Sequence, residues 1–340
     1  MATLWSRLND VAGLVATPLV PSHYLAILNP LWATHTLEGR VEQTRDETND
    51  TRTLTLRPGR NWRRHLPGQH VRVGVAIDGR RVVRTYSISS SPDRDDGKIT
   101  ITVKAKGPAS TFLARNVSPG QYVSLSRPEG DFVLSEAPRQ LFVTAGSGIT
   151  PVMSMLRTFE LRGSMPDVAH VHYAPTDRDV IFGDELRRIT DRYPAYKLSV
   201  IQTRERGHFN PGHLPADWEA RRFFACGPEA LLEQLPPGAT IERYHAKRAA
   251  IPRDARGGKV HLRMSGLEVG ADAQTPLLVV AERAGVAAAH GCRMGICHTC
   301  DVTMQSGCVR DLRTGELVTE PGTRIQPCVC AAAGDVALDL

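Results

Sequence analysis

Three cysteines, Cys292, Cys297 and Cys300, stand in the run HGCRMGICHTC with C-x4-C-x2-C spacing, and Cys328 and Cys330 follow in QPCVCAAAGDVALDL. Thiolates are soft ligands that hold zinc or iron–sulfur clusters. Structural zinc usually draws on two close cysteine knuckles. Here three thiols crowd one loop and a fourth arrives from a distance, which suits a 2Fe-2S cluster, with zinc as the alternative. Gly291 and Gly295 let the backbone wrap closely enough for amide N–H groups to point at sulfur. Spacing leaves Cys328 and Cys330 both open as the fourth ligand, and Cys308 reads as a small core residue.

Other candidate residues are scattered upstream. Arg84-Thr85-Tyr86-Ser87 puts a guanidinium fork suited to phosphate next to two hydroxyls and a ring. The bland alternative is an exposed arginine on an ordinary strand. Gly107, Ser110 and Thr111 in VKAKGPASTFL sit where a helix begins, so N–H groups and hydroxyls converge on one spot. In LFVTAGSGITPVMSM, Gly146 and Gly148 permit a tight turn and close approach of a pyrophosphate, with Thr150 and Pro151 in the first helical turn. Cys226, in FFACGPEAL, lies between a strand and a helix; its bland reading is a small residue ending a core strand. Arg204, in QTRERG, reads as a phosphate contact or as a solvated charge. None of the twelve histidines stands in a metal or triad spacing.

Composition bounds these readings. The chain has 340 residues, 41% apolar and 23% charged, enough for two or three domains with cores of their own, which excludes disordered and collagen-like classes. The net charge of +6 is spread out, so nucleic acid is not an expected partner. Clustered cysteines in a large chain point to a metal site in a reducing compartment, and no convincing signal peptide precedes them, so the expected location is cytoplasmic. Prolines and polar residues interrupt the uncharged run from Val11 to Leu37, against a membrane span.

These residues need elements to position them. Residues 1–37 form a leader with Leu4, Trp5, Leu8, Val11 and Val15 at helical spacing, then Tyr24, Leu25, Leu28, Leu31 and Trp32. A helix packed on the body is expected there. A membrane-surface or partner-docking helix is the alternative, weakened by the lack of a basic polar face. Over 38–136, TRTLTLRP, HVRVGVAIDGRRVVRTYSIS, KITITVKA and QYVSLSRP carry period-two or β-branched patterns between Pro-Gly and Asp-Gly turns, predicting a small antiparallel barrel. Over 137–240, QLFVTA, VAHVHYA, KLSVIQT and RRFFAC read as buried strands. TPVMSMLRTFELR, FGDELRRITDRY and PEALLEQL read as helices, giving a doubly wound parallel sheet. A linker at 241–257 leads to a last domain at 258–340.

That last domain resembles the plant-type 2Fe-2S ferredoxins, on Cys292, Cys297, Cys300 and the cysteine-bearing tail. The resemblance implies a β-grasp fold and, from the place of Asp335, selects Cys328 as fourth ligand, leaving Cys330 as a buried thiol. Residues 40–235 resemble the ferredoxin–NADP(+) reductase family, on R-T-Y-S, G-S-G-I-T-P and C-G-P. This implies a flavin-binding barrel with Arg84 on a flavin phosphate, Thr85 beside it, Tyr86 against the ring system and Ser87 near its reactive edge. Gly107, Ser110 and Thr111 then hold a dinucleotide pyrophosphate, favouring FAD over FMN. Gly146, Gly148, Thr150 and Pro151 bind the pyridine nucleotide, and Cys226 lies beside the nicotinamide. Arg204 contacts a 2′-phosphate, favouring NADPH, with NADH the alternative.

The order of modules resembles reductase components of multi-component oxygenases, so the implied activity passes electrons from NADPH through FAD and the cluster to an acceptor protein. The leader LAILNPLWATHTLEGRVEQTRDETNDTRTLTLRPGRNW resembles the subgroup serving membrane fatty-acyl desaturases and related di-iron hydroxylases, which implies peripheral contact with a membrane-embedded partner. A soluble ring-hydroxylating or haem mono-oxygenase is the second expectation. The expected state is a monomer. From another class, the rival is a redox-sensing or zinc-stabilised binding protein without turnover.

Overall fold

A computed structural model of the chain describes residues 21–77, 79–244, 249–296 and 298–340. It divides into two compact units, one reaching from the N-terminal part through Ile77 and over Thr85–Glu242, the other taking the segment up to Arg84 with Arg243–Leu340.

The first unit begins with a six-stranded antiparallel sheet. Its strands are β1 (Glu38–Thr48), β2 (Thr51–Pro58), β3 (His70–Ile77), β4 (Arg80–Ser87), β5 (Ile99–Lys104) and β6 (Tyr122–Leu125), in the order β4-β3-β6-β1-β2-β5. Alternation builds it. Leu54 and Leu56 of β2 and Val71, Val73 and Val75 of β3 face inward with Ile99, Ile101 and Val103 of β5. The sheet's two end strands meet where Ile88, just past β4, bridges Ile101, so the sheet curls into a closed barrel. Helix α2 (Pro108–Arg115) buries Leu113 against this core. Ahead of the barrel, helix α1 (Pro21–Leu28) leaves Tyr24, Ile27 and Leu28 exposed, Ile27 at 74% and Leu28 at 77%. This departs from the packed helix expected of the second apolar group. The first group, Leu4 to Val15, lies outside the described residues.

A parallel sheet completes the unit: β7 (Arg139–Ala145), β8 (Asp167–Ala174), β9 (Tyr196–Gln202), β10 (Arg222–Cys226) and β11 (Thr240–Glu242), in the order β11-β10-β7-β8-β9. Its central strands are buried along most of their length, as strands covered on both faces must be. The chain crosses through helix α3 (Ile149–Arg162) to β8 and through α4 (Gly183–Arg192) to β9. It then returns to the far side of β7 for β10. The crevice beyond the carboxyl ends of β7 and β10 is therefore the point where strand order reverses, which is where such sheets take ligands. PEALLEQL yields only the single turn α6 (Glu229–Leu232), because Pro236 and Pro237 follow at once.

Helix α3 also joins the two sheets. Ser154 Oγ donates to the Ser90 carbonyl at 2.6 Å, Thr158 Oγ1 donates to Ser91 Oγ at 2.9 Å, and Arg157 donates to the Ser89 carbonyl at 2.7 Å. Arg157 forks onto Glu185 of α4 at 2.8 and 2.7 Å. Burial works against the Glu185 carboxylate, yet the Arg157 fork together with the Arg45 and Arg188 charges offsets it and holds its pKa below the ordinary range.

The second unit contains β12 (Gly258–Leu262), β13 (Leu267–Ala271), α7 (Leu277–Arg283), β14 (Val302–Asp311), β15 (Leu317–Val318), β16 (Arg324–Ile325) and β17 (Cys330–Leu338). The order is β13-β12-β17-β14-β15, with β12 and β17 parallel and α7 packed on the sheet core, a β-grasp arrangement. Among the described residues no helix is long and apolar enough to cross a membrane.

Candidate functional site

Strand β4 carries Arg84, Thr85, Tyr86 and Ser87 in sequence. Ser87 is buried, and among the described residues its hydroxyl and that of Thr85 have no hydrogen-bond partner. A buried hydroxyl without a partner costs about 1–3 kcal/mol, so such groups at a strand end point to a polar ligand that completes them. Arg84 donates to the neighbouring Val83 carbonyl at 2.8 Å. Gly107 caps α2, and the Ser110 hydroxyl accepts from the Lys106 and Gly107 amides at 3.0 Å while donating to the Gly107 carbonyl at 3.1 Å. Ser110 thus shapes the turn, and Thr111 stands in the first turn of the helix.

At the reversal point, Thr144 of β7 pairs in register with Cys226 of β10. The chain leaves β7 through a one-turn helix, Gly146–Gly148, in which Gly146 takes φ +51°. A Cβ on Gly148 would lie 2.0 Å from the Cys226 carbonyl oxygen, and one on Gly227 would lie 3.2 Å from Ala145 Cβ. The glycine turn and the Cys226-Gly227-Pro228 turn therefore interlock at a distance only glycine allows. Thr150 Oγ1 donates to the Ser147 carbonyl at 2.9 Å, and Pro151 occupies the third position of α3, where it forfeits no helix hydrogen bond.

Arg204 sits on a single exposed turn, α5 (Thr203–Arg206), tied by its amide to the Pro175 carbonyl at the end of β8. Nearby, the Tyr173 hydroxyl meets His213 Nδ1 at 2.9 Å and its ring lies 6.3 Å from Phe209. Burial pushes the Tyr173 hydroxyl up to about 12, with Arg206 opposing.

In the second unit the thiol loop follows α7. Arg293 and His298 adopt left-handed backbone, φ 59° and 54°, and Gly295 has φ +71°. This folding turns an amide toward sulfur: Met294 N–H donates to Cys292 Sγ at 3.3 Å. Cys300 and Cys328 are buried together with Leu278 and Val329, and their thiols are hydrogen-bonded. The Cys328 thiol draws Cys300 down to about 6 against the effect of burial, while Cys328 itself is pushed up. Cys292 is close enough for its charge to act on Cys328. Cys297 lies outside the described residues, and among the described ones no group of three ligands is drawn close enough to hold a metal ion. Cys330 is buried in the sheet core and burial pushes it up to about 12, an inert thiol. Cys308 is only half-buried on β14, not the core residue expected; bulges on either side of Gly307 turn it off the core face held by Val309.

Comparison with known proteins identifies the two domains and the family. Residues 38–134 match the oxidoreductase FAD-binding domain, and residues 260–333 match the 2Fe-2S iron-sulfur cluster binding domain. An NADPH oxidoreductase of Mycobacterium tuberculosis is 45% identical across 99% of this chain and 93% of its own length. The chain belongs to the ferredoxin–NADP(+) reductase-like flavoproteins with a C-terminal 2Fe-2S domain. The reductase is also 30% identical to the stachydrine N-demethylase reductase subunit Stc4 of Rhizobium meliloti, across 75% of this chain and 82% of that one. In fold it is similar to phthalate dioxygenase reductase, with TM-score 0.62 and 23% identity over 90% of this chain and 98% of that structure.

The reductase is an NAD(P)H-dependent oxidoreductase that takes FAD and a 2Fe-2S cluster. The chemistry present suits both groups: buried hydroxyls on β4 unpartnered among the described residues would suit the flavin, and soft thiols, one of them accepting a backbone N–H, would suit the cluster. Sequence reasoning missed a buried chain on the face of the parallel sheet. Tyr196 OH meets His170 Nδ1 at 2.7 Å, His170 Nε2 meets Thr144 Oγ1 at 2.7 Å, and Thr144 Oγ1 meets His172 Nδ1 at 2.8 Å. Burial holds both histidines neutral, His172 down to about 4. The alternation in VAHVHYA, which sets both imidazoles on one face, was the available signal.

Proposed function

We propose that this chain draws electrons from NADPH and delivers them singly to an oxygenase-type acceptor protein. The buried hydroxyls of Thr85 and Ser87, unpartnered among the described residues, carry the reading, because they support β4 as the wall of a flavin site. Arg84 would fork onto the flavin phosphate, Tyr86 would lie against the ring system, and Gly107, Ser110 and Thr111 would hold the pyrophosphate end. Gly146, Gly148, Thr150 and Pro151 would seat the pyridine nucleotide, with Cys226 beside the nicotinamide. Cys292, Cys297, Cys300 and Cys328 would hold the iron. When bound, flavin supplies the exchange between two-electron hydride chemistry and the one-electron chemistry of an iron–sulfur cluster. The protein's part is position, exclusion of water and potential, so no general acid–base constellation is required.

Arg204, exposed on α5, supports NADPH over NADH, as does the name of the mycobacterial relative. Arg204→Ala is expected to raise KM for NADPH about tenfold, one charge-assisted phosphate contact, and to leave KM for NADH nearly unchanged. Steady-state kinetics with both nucleotides checks this, and an unaltered preference contradicts it.

Relatives named as reductases of N-demethylase and glycine betaine monooxygenase systems, each matching 75% of this chain, support the second expectation, a soluble oxygenase, over the membrane enzyme expected first. A membrane fatty-acyl desaturase or di-iron hydroxylase is the second reading. The leader's resemblance and the exposed Tyr24, Ile27 and Leu28 of α1 favour it, and they suit peripheral contact with a membrane-embedded partner on the cytoplasmic side. Reconstitution separates the two: the purified reductase with NADPH should turn over one acceptor class, and turnover of neither contradicts the proposal. A visible spectrum separates the non-catalytic rival. Flavin bands and an iron–sulfur shoulder that bleach with NADPH are expected, whereas a colourless zinc protein contradicts the reading.

A further inference from the structure

Arg313 lies just past the end of β14 and reaches back over the thiol loop. Its Nε and one terminal nitrogen fork onto the Asp311 carboxylate at 3.1 and 2.6 Å, and the other terminal nitrogen donates to the Gly295 carbonyl at 3.0 Å. Gly295 is closely enclosed: a Cβ there would lie 2.5 Å from the Arg313 guanidinium and 2.8 Å from Val329. One residue, two before Cys297, is thus held through its carbonyl by Arg313. Asp311 is fixed in turn, opposite Cys330 in the β14–β17 register, with its carboxylate accepting from the Arg313 amide at 2.8 Å. Arg313 and Asp311 are thus ion-paired at 2.6 Å, with the cation against the thiol loop and the carboxylate on the strand pair that carries Cys330.

Reduction adds one negative charge to a cluster. A cation fixed beside it favours the reduced form, and an anion disfavours it, most strongly where water is partly excluded. A lysine could reach the Gly295 carbonyl or Asp311, but not as a planar fork that serves both. We propose that Arg313 is a positioning residue that fixes the cluster loop through Gly295 and raises the reduction potential of the cluster, with Asp311 as its counterweight. This rests on the assignment of the thiols to a 2Fe-2S cluster.

The test is an EPR-monitored redox titration of the full holoprotein, with iron content measured alongside. Arg313→Gln should disfavour reduction about tenfold, a fall of about 59 mV for one electron. Arg313→Lys should keep most of the potential. Asp311→Asn, which removes the counterweight and leaves the cation, should raise it. A purely structural role would move Arg313→Gln and Asp311→Asn in the same direction, so a common direction, or no shift in either, overturns the proposal. If Arg313→Gln does not retain iron, Asp311→Asn decides: a higher potential supports the proposal, and an equal or lower one overturns it. A wild-type protein without a 2Fe-2S signal overturns the ligand assignment and the inference together, whereas a normal wild-type signal with unshifted variants overturns the inference alone.

Discussion

Sulfur and hydroxyl chemistry separate sharply in this protein according to what surrounds each side chain. Cys328 and Cys330 are two residues apart, yet one is buried in a small cluster with Cys300, while the other enters the sheet core opposite Asp311. Cys328→Ser is therefore expected to remove the iron–sulfur absorption, whereas Cys330→Ser should keep it at a stability cost of about 1 kcal/mol. Iron and sulfide analysis of the two variants checks this, and a colourless Cys330→Ser protein with a coloured Cys328→Ser protein would reverse the assignment. Spacing in the sequence left these two thiols open, because both lie within one stretch of chain. Cys308 misled for a related reason: a lone cysteine usually reads as core, and only the bulges beside Gly307 set it outside.

At the scale of elements, close approach governs the nucleotide crevice. Gly148 rests against the Cys226 carbonyl, so Gly148→Ala must push the two turns apart. Flavin content should survive, since β4 and α2 are separate from this contact, while NADPH-dependent dye reduction should fall on the order of a hundredfold, as for a displacement of about 1 Å. Rapid-mixing kinetics measures it, and unimpaired reduction would contradict the crevice as the nicotinamide site. The strands of both sheets were legible because Leu54 and Leu56, or the runs around Val143 and Val171, repeat at period two or stay continuously apolar. Strand β1 was not. In EGRVEQTRDET only Val41 is fully buried and apolar, and it is the pairing with β2 and β6 that makes the segment a strand. The helix expected over PEALLEQL fell short because of Pro236 and Pro237, a stop visible in the sequence to which the apolar pattern gives too little weight, and the packing expected for α1 failed because local pattern does not say which surface lies opposite.

For the molecule as a whole, the buried imidazoles tie stability to pH. His170 and His172 are neutral when folded, and burial lowers His172 from 6.5 to about 4. Below the ordinary value the unfolded chain binds protons that the folded chain refuses. Stability from this source is therefore full above 6.5 and is lost as pH falls toward about 4, by roughly 3 kcal/mol at the low end for His172. His172→Asn should flatten the Tm profile between about pH 7 and about pH 5, and an unchanged slope would contradict a neutral buried pair. The larger claim is that one chain holds carriers for paired and single electrons together. Anaerobic reductive titration of the fully loaded holoprotein tests it most directly: about three electron equivalents per chain are predicted, two for the flavin and one for the cluster, and saturation at about two would contradict the account.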